Sequence, residues 1–213
     1  SSIWCIVKDN QGTLWLGTYF GGVNYFNPEY EIYTRYSYSS NEKKGLSNPV
    51  VGRTIEDKNG NLWIGTEGGG LNYYNRRTRE FKWYRPQEGR NSISHNNVKA
   101  LYYDADKEII WIGTHLGGLN KLDIRSGHFT HYRMEGNNPQ SLPSDIIRDI
   151  TPYKDLLIIA TQNGVCLFNP ANGQCRQLFK DSKEGKSIKM VADVVFDSEG
   201  TLWIAATGEG VFS

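Results

Sequence analysis

The sequence predicts an all-β chain, a β-propeller fragment of about four and a half four-stranded blades. Three observations carry that prediction. The first is a repeat with a period of about 48 residues. The block Leu14-Trp15-Leu16-Gly17-Thr18 returns as Leu62-Trp63-Ile64-Gly65-Thr66, Ile110-Trp111-Ile112-Gly113-Thr114 and Leu202-Trp203-Ile204-Ala205-Ala206, with a weaker copy at Leu157-Ile158-Ile159-Ala160-Thr161. Its second residue stands at 15, 63, 111, 158 and 203, so the intervals are 48, 48, 47 and 45 residues, the spacing of four-stranded propeller blades. The second observation is strand-length apolar runs bounded by turn residues. The third is composition: 13% aromatic residues, 23 glycines and 7 prolines suit pleated surfaces and tight turns.

The elements of one repeat follow in order. In the second, Val50 to Glu56 reads as a first strand, Asp57-Lys58-Asn59-Gly60 as a turn and Leu62 to Gly65 as a second strand. A glycine turn at 68–70 precedes Leu71 to Asn75, and Phe81 to Tyr84 closes the unit. The Asp-x-x-Gly turn recurs at Asp9 and Asp197, where the carboxylate can accept from nearby amides and glycine can take a positive φ. The third repeat carries one extra residue at this turn and the fourth is one shorter. No segment shows the 3.6-residue apolar period of a helix. Blades are expected at residues 1–45, 46–93, 94–142 and 143–187, with an incomplete one at 188–213. Because the last repeat stops inside its third strand, the chain reads as a fragment with exposed sheet edges, which would favour pairing between chains. A four-stranded sheet buries both faces only by stacking in a ring. The recurring Trp15, Trp63, Trp111 and Trp203 are therefore assigned to the core between blades rather than to a ligand.

Charge and motifs exclude several functions. The 24 basic and 23 acidic residues give a formal net charge of +1, with no basic footprint for nucleic acid. No apolar run is long enough to cross a bilayer, and the first residues lack the pattern of a signal peptide. His128 and His131 are spaced three apart on an expected strand and point to opposite faces, so they do not share a metal. The single aspartate of each hairpin falls short of a calcium loop. Glu67-Gly68-Gly69-Gly70 lacks the lysine and following helix of a phosphate cradle. No catalytic residues, metal or cofactor are expected. Cys166 and Cys175 fall on strands expected to be adjacent. A bridge between them is compatible with that, and two buried free thiols are the preferred reading.

Function in a repeat protein is sought where equivalent positions differ. The loop between second and third strands reads Tyr19-Phe20-Gly21, Glu67-Gly68-Gly69, His115-Leu116-Gly117, Gln162-Asn163-Gly164 and Gly208-Glu209-Gly210. On the first strands, Cys5, Arg53, Ala100, Asp149 and Asp193 align in one row, and Trp4, Gly52, Lys99, Arg148 and Ala192 in the next; one row is expected to face the central channel. Tyr19, Phe20, Glu67, His115, Gln162 and Asn163 offer aromatic faces and planar polar groups, the mixture a neutral sugar requires. Arg53, Arg148 and Asp149 would add charge selectivity.

The string Ile55-Glu56-Asp57-Lys58-Asn59-Gly60-Asn61-Leu62-Trp63-Ile64-Gly65-Thr66, continued by Gly69-Gly70-Leu71-Asn72, closely resembles the two-component regulator propeller repeat. The connectors Gly45-Leu46-Ser47-Asn48, Asn91-Ser92-Ile93-Ser94 and Gln140-Ser141-Leu142-Pro143 agree with it. The fourth repeat departs, with Ile158 for tryptophan and Ala160 for glycine. The resemblance implies a periplasmic sensor region of a Bacteroides-type hybrid histidine kinase anchored in the inner membrane. Such regions usually hold two seven-bladed propellers followed by an immunoglobulin-like domain, a membrane span and a kinase. It further implies an oligosaccharide ligand, self-association through the dimer of the parent chain, and no enzymatic activity in this fragment. A non-catalytic protein-interaction scaffold is the first alternative. A propeller lyase or glycosidase, resting on Asp149 and Asp193, is the second.

Overall fold

The computed structural model describes residues 2–27, 32–179 and 188–213. Among these residues it is built of β-strands with one 3-10 turn at Glu42–Lys44. The first sheet holds β1 (Ile3–Lys8), β2 (Leu14–Thr18), β3 (Gly22–Asn27) and β4 (Ile32–Tyr36). The second holds β5 (Val51–Glu56), β6 (Leu62–Thr66), β7 (Gly70–Asn75) and β8 (Glu80–Tyr84). The third holds β9 (Val98–Asp104), β10 (Ile109–Thr114), β11 (Leu119–Asp123) and β12 (Phe129–Tyr132). The fourth holds β13 (Ile147–Tyr153), β14 (Leu156–Thr161), β15 (Gly164–Phe168) and β16 (Cys175–Leu178), and β17 (Val191–Phe196), β18 (Leu202–Ala206) and β19 (Gly210–Phe212) form a three-stranded fifth. Every sheet is an antiparallel meander in chain order. The first strands of successive sheets pack side by side, β1 on β5, β5 on β9, β9 on β13 and β13 on β17. The arrangement is that of propeller blades set around their first strands. The junction expected after residue 187 borders residues 180–187, which lie outside the described residues.

The Asp-x-x-Gly turn does more than reverse the chain. Asp9 Oδ1 accepts from the Gln11 and Thr13 amides, and its Oδ2 accepts from Trp15 Nε1 at 2.7 Å. Asp57 repeats the pattern with Asn59, Asn61 and Trp63, and Asp197 with Glu199, Thr201 and Trp203. One carboxylate thus satisfies two turn amides and fixes the indole that the following strand presents. The Asp9 carboxyl sits below its ordinary pKa: burial pushes it up, and the bonds from Trp15, the two amides and Arg76 outweigh that.

The core lies between blades, in four clusters, each joining a blade to the next. Trp15 packs on Val51, Leu62, Ile64, Tyr74 and Phe81 of blade two. Trp63 packs on Val98, Ile110, Ile112 and Phe129 of blade three, and Trp111 on Ile147, Ile159 and Phe168 of blade four. A buried indole removes roughly 200 Å² from water, about 5 kcal/mol before entropic costs. In blade four Ile158 takes the same seat against Val191, Val194 and Ile204, and it is buried despite its smaller side chain. The expectation that all four tryptophans are core fails at Trp203, which is 41% exposed. The indole of each blade is covered by the blade after it, and among the described residues no blade follows the fifth. Val195 and Val211 share its exposure.

The glycine that follows Trp15, Trp63 and Trp111 by two residues reports the closeness of this packing. A Cβ on Gly65 would lie 2.6 Å from Val98 Cγ1, one on Gly17 2.8 Å from Val51 Cγ1, and one on Gly113 2.5 Å from Ile147 Cγ2. The next blade's first strand rests directly on the glycine backbone.

Candidate functional site

Each first strand carries the same irregularity. Between Ile3 and Cys5, Val51 and Thr54, Val98 and Ala100, Ile147 and Asp149, and Val191 and Asp193 the register to the second strand shifts. A β-bulge sets two residues against one and re-aims a side chain. Here it brings Trp4, Gly52, Lys99, Arg148 and Ala192 to the inner side together with Arg53 and Asp193. Both aligned rows therefore contribute, where one was expected, although Ala100 of the first row stays fully buried between blades.

A second repeated feature places the loop residues beside the bulges. The amides of Tyr19, Glu67, His115, Gln162 and Thr207 donate to the carbonyls of Ser2, Val50, Asn97, Ile146 and Met190, just before each first strand. Together these elements enclose a recess of about 590 Å³, lined by Trp4, Arg53, Glu67, Lys99, Arg148 and Gln162 with Met190, Asp193 and Thr207 at one side. That volume is ordinary for a small-molecule site.

Its polar groups are largely paired. Lys99 Nζ donates to Glu67 Oε1, and the same ammonium lies 5.8 Å from the Trp4 ring. Arg148 Nη2 donates to Gln162 Oε1 at 2.9 Å. Arg53 reaches from blade two to Asp149 Oδ1 of blade four and Asp193 Oδ1 of blade five, each at 3.5 Å. Asp149, whose side chain is 14% exposed, has its pKa pushed up to about 6, first by burial and then by the Asp193 carboxylate, against the pull of Arg53. Three cations therefore face three carboxylates. On the blade-one side Trp4 and Tyr19 stack at 4.9 Å with 23° between planes, and Phe20 meets Tyr19 edge-on at 4.3 Å.

Of the nine residues expected from sequence, Arg53, Glu67, Arg148 and Gln162 line the recess, and Asp149 joins it through Arg53. Tyr19 belongs through its stack on Trp4. Phe20, Asn163 and His115 are not among its walls. Phe20 takes a left-handed φ of 65°, where blade two has Gly68, and turns its ring out to 63% exposure. Asn163 donates back to the Pro143 carbonyl at 3.3 Å. The His115 ring has a buried Nδ1 without a partner among the described residues, and its pKa is lowered by burial, then by Arg148 and Lys99.

The sequence reading missed Met190 and Thr207 and left Trp4, Lys99 and Asp193 off the site. Thr207 was findable: Ala206 pairs with Gly210 as Thr66 pairs with Gly70, so the fifth loop is Thr207-Gly208-Glu209, one residue earlier than aligned. No group of three or more histidine, cysteine, aspartate or glutamate side chains could hold a metal among the described residues. His131 Nε2 bonds the Ser92 carbonyl and His128 is exposed. No helix among the described residues is long and apolar enough to cross a membrane.

Comparison with known proteins fits this geometry. Residues 1–20, 45–68 and 92–115 match the two component regulator propeller model, which bears out the resemblance read from the repeats. The extracellular domain assigned to hybrid two component system BT3049 of B. thetaiotaomicron superposes with a TM-score of 0.80 at 25% identity over 99% of this chain. That assigned to BT4673 of the same organism gives 0.75 at 24% over 96%. The chain spans 28% of each of those structures. PorZ, a surface component of the type-IX secretion system of Porphyromonas gingivalis, shares the fold at 0.75 and 18% identity, over 99% of this chain and 31% of its own. No curated protein matches the chain.

Proposed function

We propose that this run of two-component regulator propeller repeats is the extracytoplasmic ligand-sensing part of a hybrid two-component protein, and that its recess binds a small neutral oligosaccharide. The observation that carries the reading is the recess itself: an aromatic face, Trp4 on Tyr19, shares it with the planar hydrogen-bonding pair Arg148 and Gln162 and with the ion pair of Lys99 and Glu67. Sugar C–H faces pack on aromatic rings, and sugar hydroxyls bond such planar groups. The three-to-three balance of charge disfavours a strongly anionic ligand. Two structural relatives from extracellular domains of two-component systems support a sensing role outside the cytoplasm. A periplasmic location, a seven-bladed parent ring and a downstream kinase complete the reading.

Saturation-transfer NMR against a panel of neutral and uronic-acid oligosaccharides tests it. Transfer to a neutral sugar, abolished in Trp4→Ala, is expected; transfer only to acidic sugars, or none, overturns the ligand class.

Asp149 and Asp193 favour a second reading, a lyase or glycosidase. A carboxyl held near pKa 6 beside a second carboxylate has the character of a general acid. Product release by the wild-type protein that disappears in Asp149→Asn would replace the sensor with an enzyme.

A further inference from the structure

We propose that Cys166 and Cys175 form an intrachain disulfide when the chain folds under oxidising conditions, at the third-strand position where blades two and three carry a hydrogen-bonded asparagine clamp. The two thiols lie on β15 and β16. Cys166 pairs with Gln177 and Cys175 with Phe168, so they are diagonal neighbours on one face. Both are buried against blade three, in the cluster that holds Trp111. Their sulfurs stand 2.9 Å apart, so a movement of about 0.9 Å reaches bonding distance.

The other repeats explain why cysteines stand here. Cys166 occupies the position of Asn24, Asn72 and Asn120, each paired with the third residue of its Trp block. Asn72 Oδ1 accepts from the Ser47 amide at 2.8 Å while its Nδ2 donates to Ser47 Oγ, and Asn120 Oδ1 accepts from the Ser94 amide at 2.8 Å. These bonds fasten the incoming connector to the third strand. In blade four the residue four before the first paired position, where blades two and three have Ser47 and Ser94, is Pro143. Proline has no N–H to give, so an asparagine would find no donor. Cys175 in turn stands where Phe81 and Phe129 stand. Two positions of the repeat have changed together, and the result is one contiguous pair.

The oxidation balances with a disulfide-bearing thiol compound as co-reactant. One protein thiolate attacks the reagent disulfide and expels one thiol; the second thiolate attacks the mixed disulfide and expels the other. The two thiol protons end on the two expelled thiolates, two electrons pass to the reagent, and the protein's S–S bond forms as the reagent's is broken. In the folded dithiol the Cys166 thiol is held protonated by its hydrogen bond to Cys175 and by burial, so the bond forms during folding rather than in the finished blade.

The test is refolding of the reduced, denatured protein with glutathione disulfide, followed by alkylation of free thiols in denaturant and peptide mass mapping. The expected product is a Cys166–Cys175 linked peptide lacking two hydrogens, with Cys5 alkylated. Reductant should then lower Tm by about 5–10 °C, the scale for a short closed loop in a domain of this size. Cys175→Ser should abolish the reductant-dependent shift, and Cys5→Ser should leave it intact. Alkylation of all three cysteines after oxidative refolding, or a bridge that includes Cys5, overturns the proposal.

Discussion

Replacing Trp63 with alanine tests the idea that each blade is held by the one after it. Trp63 is 2% exposed, its indole lies 4.8 Å from Tyr73 and 5.7 Å from Tyr84, and blade-three side chains cover it. Truncation removes the transfer energy of the ring and leaves a cavity between sheets, at a cost of about 3–5 kcal/mol. It also strips Asp57 Oδ2 of its indole donor. The same change at Trp203 removes an identical side chain with an identical aspartate partner, yet 41% of that residue already meets water and no blade covers it among the described residues. About 2 kcal/mol is expected there, since the part its own blade covers is still lost. Urea unfolding followed by far-UV circular dichroism separates the two, because six tryptophans make fluorescence ambiguous. With a slope of roughly 2–3 kcal/mol per molar, the midpoint should fall by about 1–2 M for Trp63→Ala and by under about 1 M for Trp203→Ala. Equal losses would refute the reasoning, since they would place the value of the indole within its own blade.

Three further outcomes follow from named contacts. Gly65→Ala should cost about 1–3 kcal/mol, because the new Cβ meets Val98 at 2.6 Å; a neutral result in the same urea titration would mean that the blades separate freely. Asp149 binds its proton more tightly folded than unfolded, so its contribution is full below about pH 4 and lost as pH rises to about 6. Asp149→Asn should remove that segment of the Tm-against-pH curve, and an unchanged curve would contradict the raised pKa. Arg53→Met, which deletes the cation opposing both carboxylates, should move the Asp149 carboxyl resonance to a still higher midpoint in a carbon-13 NMR titration; a lower midpoint would reverse the assignment of causes.

The fold was readable because its determinants are local and repeated. The tryptophan, the turn aspartate and the glycine each recur at fixed offsets, and the structure joins them in one unit, carboxylate to indole and glycine to the next blade's strand. Trp203 is the exception among the described residues, because a repeat motif encodes a residue's place in its own blade and says nothing about what covers it. The site was less legible. The variable loop and the first strand were singled out and residues of both line the recess, yet the bulge that turns consecutive residues inward depends on how β1, β5, β9, β13 and β17 meet their second strands. Alternation along an ideal strand places Arg148 and Asp149 on opposite faces; the bulge brings both toward the axis. Phe20 illustrates the converse. Its aromatic ring suits a sugar, but the left-handed backbone it shares in position with Gly68 directs it away from the recess.

The central claim is that the recess between the first strands is where ligand is held, and calorimetric titration of the intact protein with a neutral oligosaccharide tests it most directly. Saturable heat without product is the predicted result. Arg148→Ala should weaken binding at least tenfold by removing the donor paired with Gln162, whereas Phe20→Ala, on the outward side of the loop, should leave affinity within about twofold. Undiminished binding in Arg148→Ala, together with loss in Phe20→Ala, would move the site to the outer rim and contradict the account.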